Sequence, residues 1–104
     1  MEKAEQMLGC LKKYHWGRAR AVPLNTLAKE LAISTRKVRK IKNYLVIEEG
    51  QPIGSTADGY FYAESRAELS RFVAEYMARS RASYRMIKAY QDMLKPKGQL
   101  MLDL

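Results

Sequence analysis

The sequence predicts a mainly α fold with one small β-hairpin, followed by a long C-terminal helix. Three observations predict it. Two amphipathic segments, "LNTLAKEL" (24–31) and "TRKVRKIKNYL" (35–45), follow one another across a short gap. The stretch "PIGSTADGYFYAE" (52–64) sets an Asp58-Gly59 turn signal beside a run of strand formers. From Ser65 no proline or glycine interrupts an apolar stripe until Pro96.

Residues 2–14 place Ala4, Met7, Leu8, Leu11 and Tyr14 at helical spacing. Glu2 and Glu5 lie near the start and Lys12 and Lys13 near the end, as the helix dipole favours. "HWGRARAVP" (15–23) is bounded by the breakers Gly17 and Pro23. It reads as a loop with a short strand at Arg20–Val22, and Trp16 as a core plug under the first helix. In the next helix Leu24, Leu27, Ala28 and Leu31 share a face. Ser34 is the expected N-cap of the third, whose apolar positions are Val38, Ile41 and Leu45, and Gly50 its end. "SRAE" forms a capping box with Ser65 at N-cap and Glu68 three residues on. A helix over Arg66–Lys95 would run roughly 45 Å at 1.5 Å per residue. Its stripe is Leu69, Phe72, Val73, Tyr76, Met77, Tyr84, Ile87, Tyr90 and Leu94.

The 104 residues are 47% hydrophobic and 29% charged, which suits one small domain with an appended element. Nineteen Lys and Arg against eleven Asp and Glu give a net charge of +8, which favours polyanionic partners. Cys10 stands alone, so no internal disulfide forms. The first residues carry charge rather than an apolar run, and no stretch approaches the ~20 apolar residues of a membrane span. A cytoplasmic protein without a membrane partner is expected.

The 24–43 stretch "LNTLAKELAISTRKVRKIKN" meets a positional test for two helices packed across a tight turn. The contact positions Leu27, Leu31, Ile33, Val38 and Ile41 are all apolar, and Ala28 fills the close approach. Residues 2–64 thereby resemble a winged helix-turn-helix domain, similar to the biotin operon repressor type and to small phage or prophage proteins. The departure is Ala32, where such turns usually carry glycine. The resemblance implies double-stranded DNA as partner, with the helix after Ser34 as recognition helix. Residues 34–43 hold five basic side chains and no acid. The DNA-binding candidates are Ser34, Thr35, Arg36, Lys37, Arg39, Lys40, Lys42 and Asn43. Thr35, Arg36 and Arg39 are assigned to base edges, and Lys37, Lys40 and Lys42 to phosphates. Arg18 and Arg20 are further phosphate candidates. The wing loop Ser55 to Asp58 carries Asp58 and no basic residue. A solvated charged face and a protein-interaction module are the competing readings.

The chain thus divides into a winged domain (1–64), a long helix (65–95) and a tail (96–104). The long helix is expected to form a homodimer by burying Tyr84, Ile87, Tyr90 and Leu94. Folding back on its own domain, or laying "ARSRAS" along a DNA backbone, are the alternatives. No catalytic, cofactor or metal site is expected: His15 and Cys10 lack a third orienting group, and no carboxylate clusters near them in sequence. The tail "QLMLDL" puts Leu100, Leu102 and Leu104 on one side of an extended peptide. It resembles the bacterial sliding-clamp peptide Gln-Leu-x-Leu-x-Leu, matching at Gln99, Leu100, Leu102 and Leu104. The resemblance implies a replication clamp as partner. Packing of these leucines on the protein itself is the competing reading, which leaves a plain transcriptional repressor.

Overall fold

The computed structural model describes residues 2–79 and 82–95. Among them the chain forms α1 (Glu2–Tyr14), α2 (Leu24–Leu31), α3 (Thr35–Ile47), β1 (Ile53–Thr56), β2 (Gly59–Tyr62), α4 (Arg66–Met77) and α5 (Tyr84–Leu94). The mainly α fold with a small β-hairpin is as the sequence predicts. None of the described helices is long and apolar enough to cross a membrane.

Packing of α2 against α3 follows the expected positions. Leu27, Leu31, Val38 and Ile41 are buried with Ala28, and Ile33 is half-buried against them. The connection turns at Ala32, which adopts φ 57° and ψ 43°, the left-handed conformation. Two bonds close it: Ile33 N–H donates to Ala28 O at 3.0 Å and Ala32 N–H to Lys29 O at 3.2 Å. A left-handed alanine bears a steric penalty that glycine escapes. Ala32→Gly is therefore expected to stabilise the fold by about 0.5–1 kcal/mol, read by urea denaturation. A loss of that size instead would mean that the turn is right-handed in solution.

The hairpin is antiparallel, pairing Ile53 with Tyr62, Gly54 with Phe61, Ser55 with Tyr60 and Thr56 with Gly59. The loop after α1 runs along the outer edge of β2. Val22 and Tyr60 exchange both backbone bonds at 2.8 Å, and Gly17 N–H donates to Tyr62 O at 2.7 Å. The strand expected at Arg20–Val22 is thus a single bridge at Val22, because Arg18–Arg20 coils into a 3-10 turn. Gly59 fits only without a side chain: it sits at φ +125°, and a Cβ there would lie 2.0 Å from Val22 O.

The long helix is not formed. Helix α4 ends at Met77 and α5 starts at Tyr84 under the cap of Ser83, whose Oγ accepts from Met86 N–H at 3.4 Å. Tyr76 Oη accepts from Ser83 N–H at 3.1 Å, which ties the start of α5 to the end of α4. The physical reason lies further along. A straight helix would carry Tyr90 and Met86 away from the domain, whereas folding back buries both in the core. Tyr90 packs edge-on against Phe72 and Tyr76, with ring centroids 5.3 and 5.7 Å away. Of the side chains expected at a dimer interface, Tyr90 is fully buried within the chain, and Ile87 and Leu94 pack on its core. Tyr84 remains 76% exposed.

The capping box is half formed. Ser65 Oγ accepts from Glu68 N–H at 3.1 Å. The Glu68 carboxylate accepts instead from the backbone N–H groups of Glu64 and Arg18, each at 3.0 Å. That contact holds the 15–22 loop onto α4. Trp16 does not plug the core: it is 45% exposed and stacks on Tyr62 at 5.2 Å.

Candidate nucleic-acid interface

Helix α3 begins at Ser34, whose Oγ accepts from Lys37 N–H at 3.1 Å. Its core stripe is Val38, Ile41, Lys42, Leu45 and Val46. Helical spacing then places Arg36, Lys40 and Asn43 on the opposite face, with Lys37 and Arg39 flanking it. These five side chains are exposed, while Thr35 is half-buried. From Ser34 to Ile47 α3 and its cap carry no carboxylate. The structure therefore presents most of the expected candidates together on one outward face.

Arg39 leans to one side of that face. It lines a cleft with Pro23, Leu24, the hairpin residues Ser55, Thr56, Ala57, Gly59 and Tyr60, and Arg79. Arg79 is anchored there, donating from Nη2 to Ser55 O at 3.0 Å. Its guanidinium lies 5.4 Å from the Tyr76 ring centroid and 5.9 Å from that of Phe72. Burial pushes the Tyr60 phenol up, and Arg39 opposes that shift. The cleft thus brings two guanidiniums to the junction of α3 and the hairpin. The sequence marks Arg79 only as part of a polar break. The fold-back of α5 and the bond to Ser55 are what place it.

Two candidates are corrected. Lys42 is not an outward phosphate contact. It is 6% exposed, on the core stripe of α3, with Nζ 6.0 Å from the ring centroids of Tyr60 and Tyr76. Burial, with Arg79 adding, pushes its ammonium down to about 8. Arg18 is already paired, forming a bidentate contact with Glu75 at 2.8 and 2.9 Å. The pair holds the Glu75 carboxyl below its ordinary value. Ser34 is the N-cap of α3: its Oγ accepts from Lys37 N–H, which leaves its own hydroxyl hydrogen to donate. Arg20 stays exposed on the loop. The clamp-type residues Gln99, Leu100, Leu102 and Leu104 lie outside the described residues.

The sequence also places no carboxylate beside Cys10 and His15, and here the fold differs. Glu30, on α2, lies against both, and one donor atom from each of the three residues falls within 4.8 Å of the others. Cys10 Sγ–H donates to Glu30 Oε1 at 3.6 Å. This is no activated nucleophile: burial and the Glu30 carboxylate both push the thiol up. His15 is oriented by the Arg20 carbonyl rather than by the acid.

Compared with known proteins, the chain matches no family model, no curated protein and no solved structure.

Proposed function

We propose that the chain binds double-stranded DNA, laying α3 in the major groove with the hairpin on the flanking backbone. The observation that carries this reading is the outward face of α3. It gathers Arg36, Lys37, Arg39, Lys40 and Asn43 without a carboxylate, opposite a seam that is apolar except for Lys42. In this reading Arg36 and Asn43 meet base edges, where a guanidinium fits guanine and an amide fits adenine. Thr35 stands at the helix start beside them. Lys37 and Lys40 neutralise phosphates, and Arg39 with Arg79 grips a phosphate in the cleft beside the hairpin.

The test is selection from random duplexes by the full chain, followed by affinity on the enriched site. Arg36→Ala should weaken binding by roughly 5- to 150-fold and relax the preference at one position. Lys40→Ala should weaken all sequences alike. A chain that selects no sequence and shows no preference for duplexes over an acidic peptide is a protein-interaction adaptor instead.

A role at DNA replication is proposed on the tail alone, from its match to the clamp-binding pattern at Gln99, Leu100, Leu102 and Leu104. The full chain should bind an immobilised bacterial sliding clamp, and a chain ending at Gly98 should not. Equal binding by both, or by neither, leaves a transcriptional repressor as the better reading. A homodimer would need a surface other than Tyr90, which lies inside the chain.

A further inference from the structure

The strongest unassigned cluster lies away from the cleft, where α1, the loop after it and the last turn of α2 meet. Cys10 is on α1, His15 one residue beyond it and Glu30 on α2. They share a concavity with Lys3, Gln6 and Tyr14. One thiol sulfur, one imidazole nitrogen and one carboxylate oxygen converge within 4.8 Å. We propose that Cys10, His15 and Glu30 form a three-ligand Zn²⁺ site that clamps α1 and its following loop to α2. The proposal does not depend on the DNA reading.

Three features of the geometry support it. First, the donor set is mixed sulfur, nitrogen and oxygen, which suits a borderline ion in four-coordination, with water as fourth ligand. Second, the Cys10 Sγ to Glu30 Oε1 separation is 3.6 Å. Bonds of ~2.3 Å to sulfur and ~2.1 Å to oxygen at a tetrahedral angle span about 3.6 Å, so these two ligands already stand at the required edge. Third, His15 is pre-oriented. Its Nδ1 lies 2.9 Å from Arg20 O, and a carbonyl only accepts, so Nδ1 carries the proton. That leaves Nε2 as the nitrogen with a free lone pair, and a backbone carbonyl on the other ring nitrogen is the usual support of a metal-bound histidine. Without metal the thiol keeps its proton and donates it to the Glu30 carboxylate as a hydrogen bond. On binding, the Zn–S bond replaces the S–H bond and that proton leaves to solvent. The thiolate and carboxylate then balance the charge of the ion. Lys3, in the same concavity, donates from Nζ to Leu31 O at 2.9 Å.

The experiment uses the full chain, free of any affinity tag, reduced and stripped of metal. It is titrated with Co²⁺ and then with Zn²⁺. One Co²⁺ per chain should bind and give a thiolate-to-cobalt charge-transfer band with the intense visible bands of a tetrahedral site. Zn²⁺ should displace it and raise the thermal midpoint by on the order of 5 °C. Cys10→Ser should abolish the charge-transfer band, and His15→Gln and Glu30→Gln should each weaken Zn²⁺ binding at least about tenfold. All three positions are half-buried or exposed, and far-ultraviolet circular dichroism checks that each variant stays folded. A charge-transfer band that survives both His15→Gln and Glu30→Gln at unchanged affinity would make this a lone thiol picking up metal, and overturn the site. So would the absence of the band, or a thermal midpoint unmoved by Zn²⁺.

Discussion

Tyr90→Ala should cost about 4 kcal/mol of folding stability, measured by urea denaturation. A domain of this size has on the order of 5–15 kcal/mol in all, so the variant should be close to unfolding at warm temperatures. Three interactions of this one side chain set the size of the effect. The ring is fully buried, it meets Phe72 and Tyr76 edge-on, and its hydroxyl donates to Ile53 O at 2.6 Å. The last bond links α5 to the hairpin, so removing it loosens the wing as well as the helix. Tyr90→Phe isolates that bond and should cost about 1 kcal/mol. Tyr84→Ala is the internal control. That side chain is 76% exposed, and its removal should change stability by less than ~0.5 kcal/mol. If 66–95 were one projecting helix, the two alanine variants would behave alike in the monomer.

Lys42→Met should raise stability by about 2 kcal/mol near neutral pH, because it replaces a buried, carboxylate-free ammonium with an apolar chain of similar length. The neighbours of Nζ are two aromatic faces, which offset only part of its lost hydration. The pH dependence carries the sign. The ammonium is pushed down from 10.5 to about 8 in the folded chain. Below that value both states hold the proton and the folded state bears the whole burial cost. Between about 8 and 10.5 the unfolded chain keeps a proton that the folded chain has shed. Stability must then rise with pH across that window and level off above it. The advantage of Lys42→Met over the parent should accordingly shrink as pH rises through the window. Comparison between the two chains removes the titration of tyrosines common to both. On duplex DNA the same variant should change affinity less than about twofold, whereas Lys40→Ala should weaken it several-fold.

Those two residues show where the sequence was legible and where it was not. Local signals transferred well. The apolar positions of 24–43, the Ser34 and Ser65 caps and the presence of the hairpin each depend on neighbours a few residues away, and local pattern encodes them directly, although the turn falls at Ala57 and Asp58 with Gly59 already in β2. The place of the turn between the two helices is legible, but its left-handed conformation is not, because Ala32 stands where glycine is usual. What failed was tertiary. Helical propensity runs unbroken from Arg66 to Lys95, because Ser80 and Ser83 are only mild breakers. The gain from burying Tyr90 against Phe72 overrides that propensity, and it involves residues 18 apart in sequence. Composition groups Lys42 with its basic neighbours, although its spacing from Val38 and Leu45 puts it on the core stripe. Spacing was the better signal there. Arg18 could not be recognised as paired, since Glu75 approaches it only through the packing of the loop on α4. Glu30 joins Cys10 and His15 for the same reason: α1 and α2 must pack before the three meet.

If the basic face of α3 engages duplex DNA, binding must weaken with salt in proportion to the phosphates it neutralises. The affinity of the full chain for a short duplex should be measured across a range of salt concentrations, beside Arg36→Ala, Lys37→Ala and Lys40→Ala variants. Each phosphate neutralised adds about 0.9 to the slope of log affinity against log salt. A steep slope is expected for the parent chain, and a slope about one unit shallower for each of Lys37→Ala and Lys40→Ala. Duplex binding that is absent, or whose salt slope is unchanged by both lysine variants, would contradict engagement of DNA by α3.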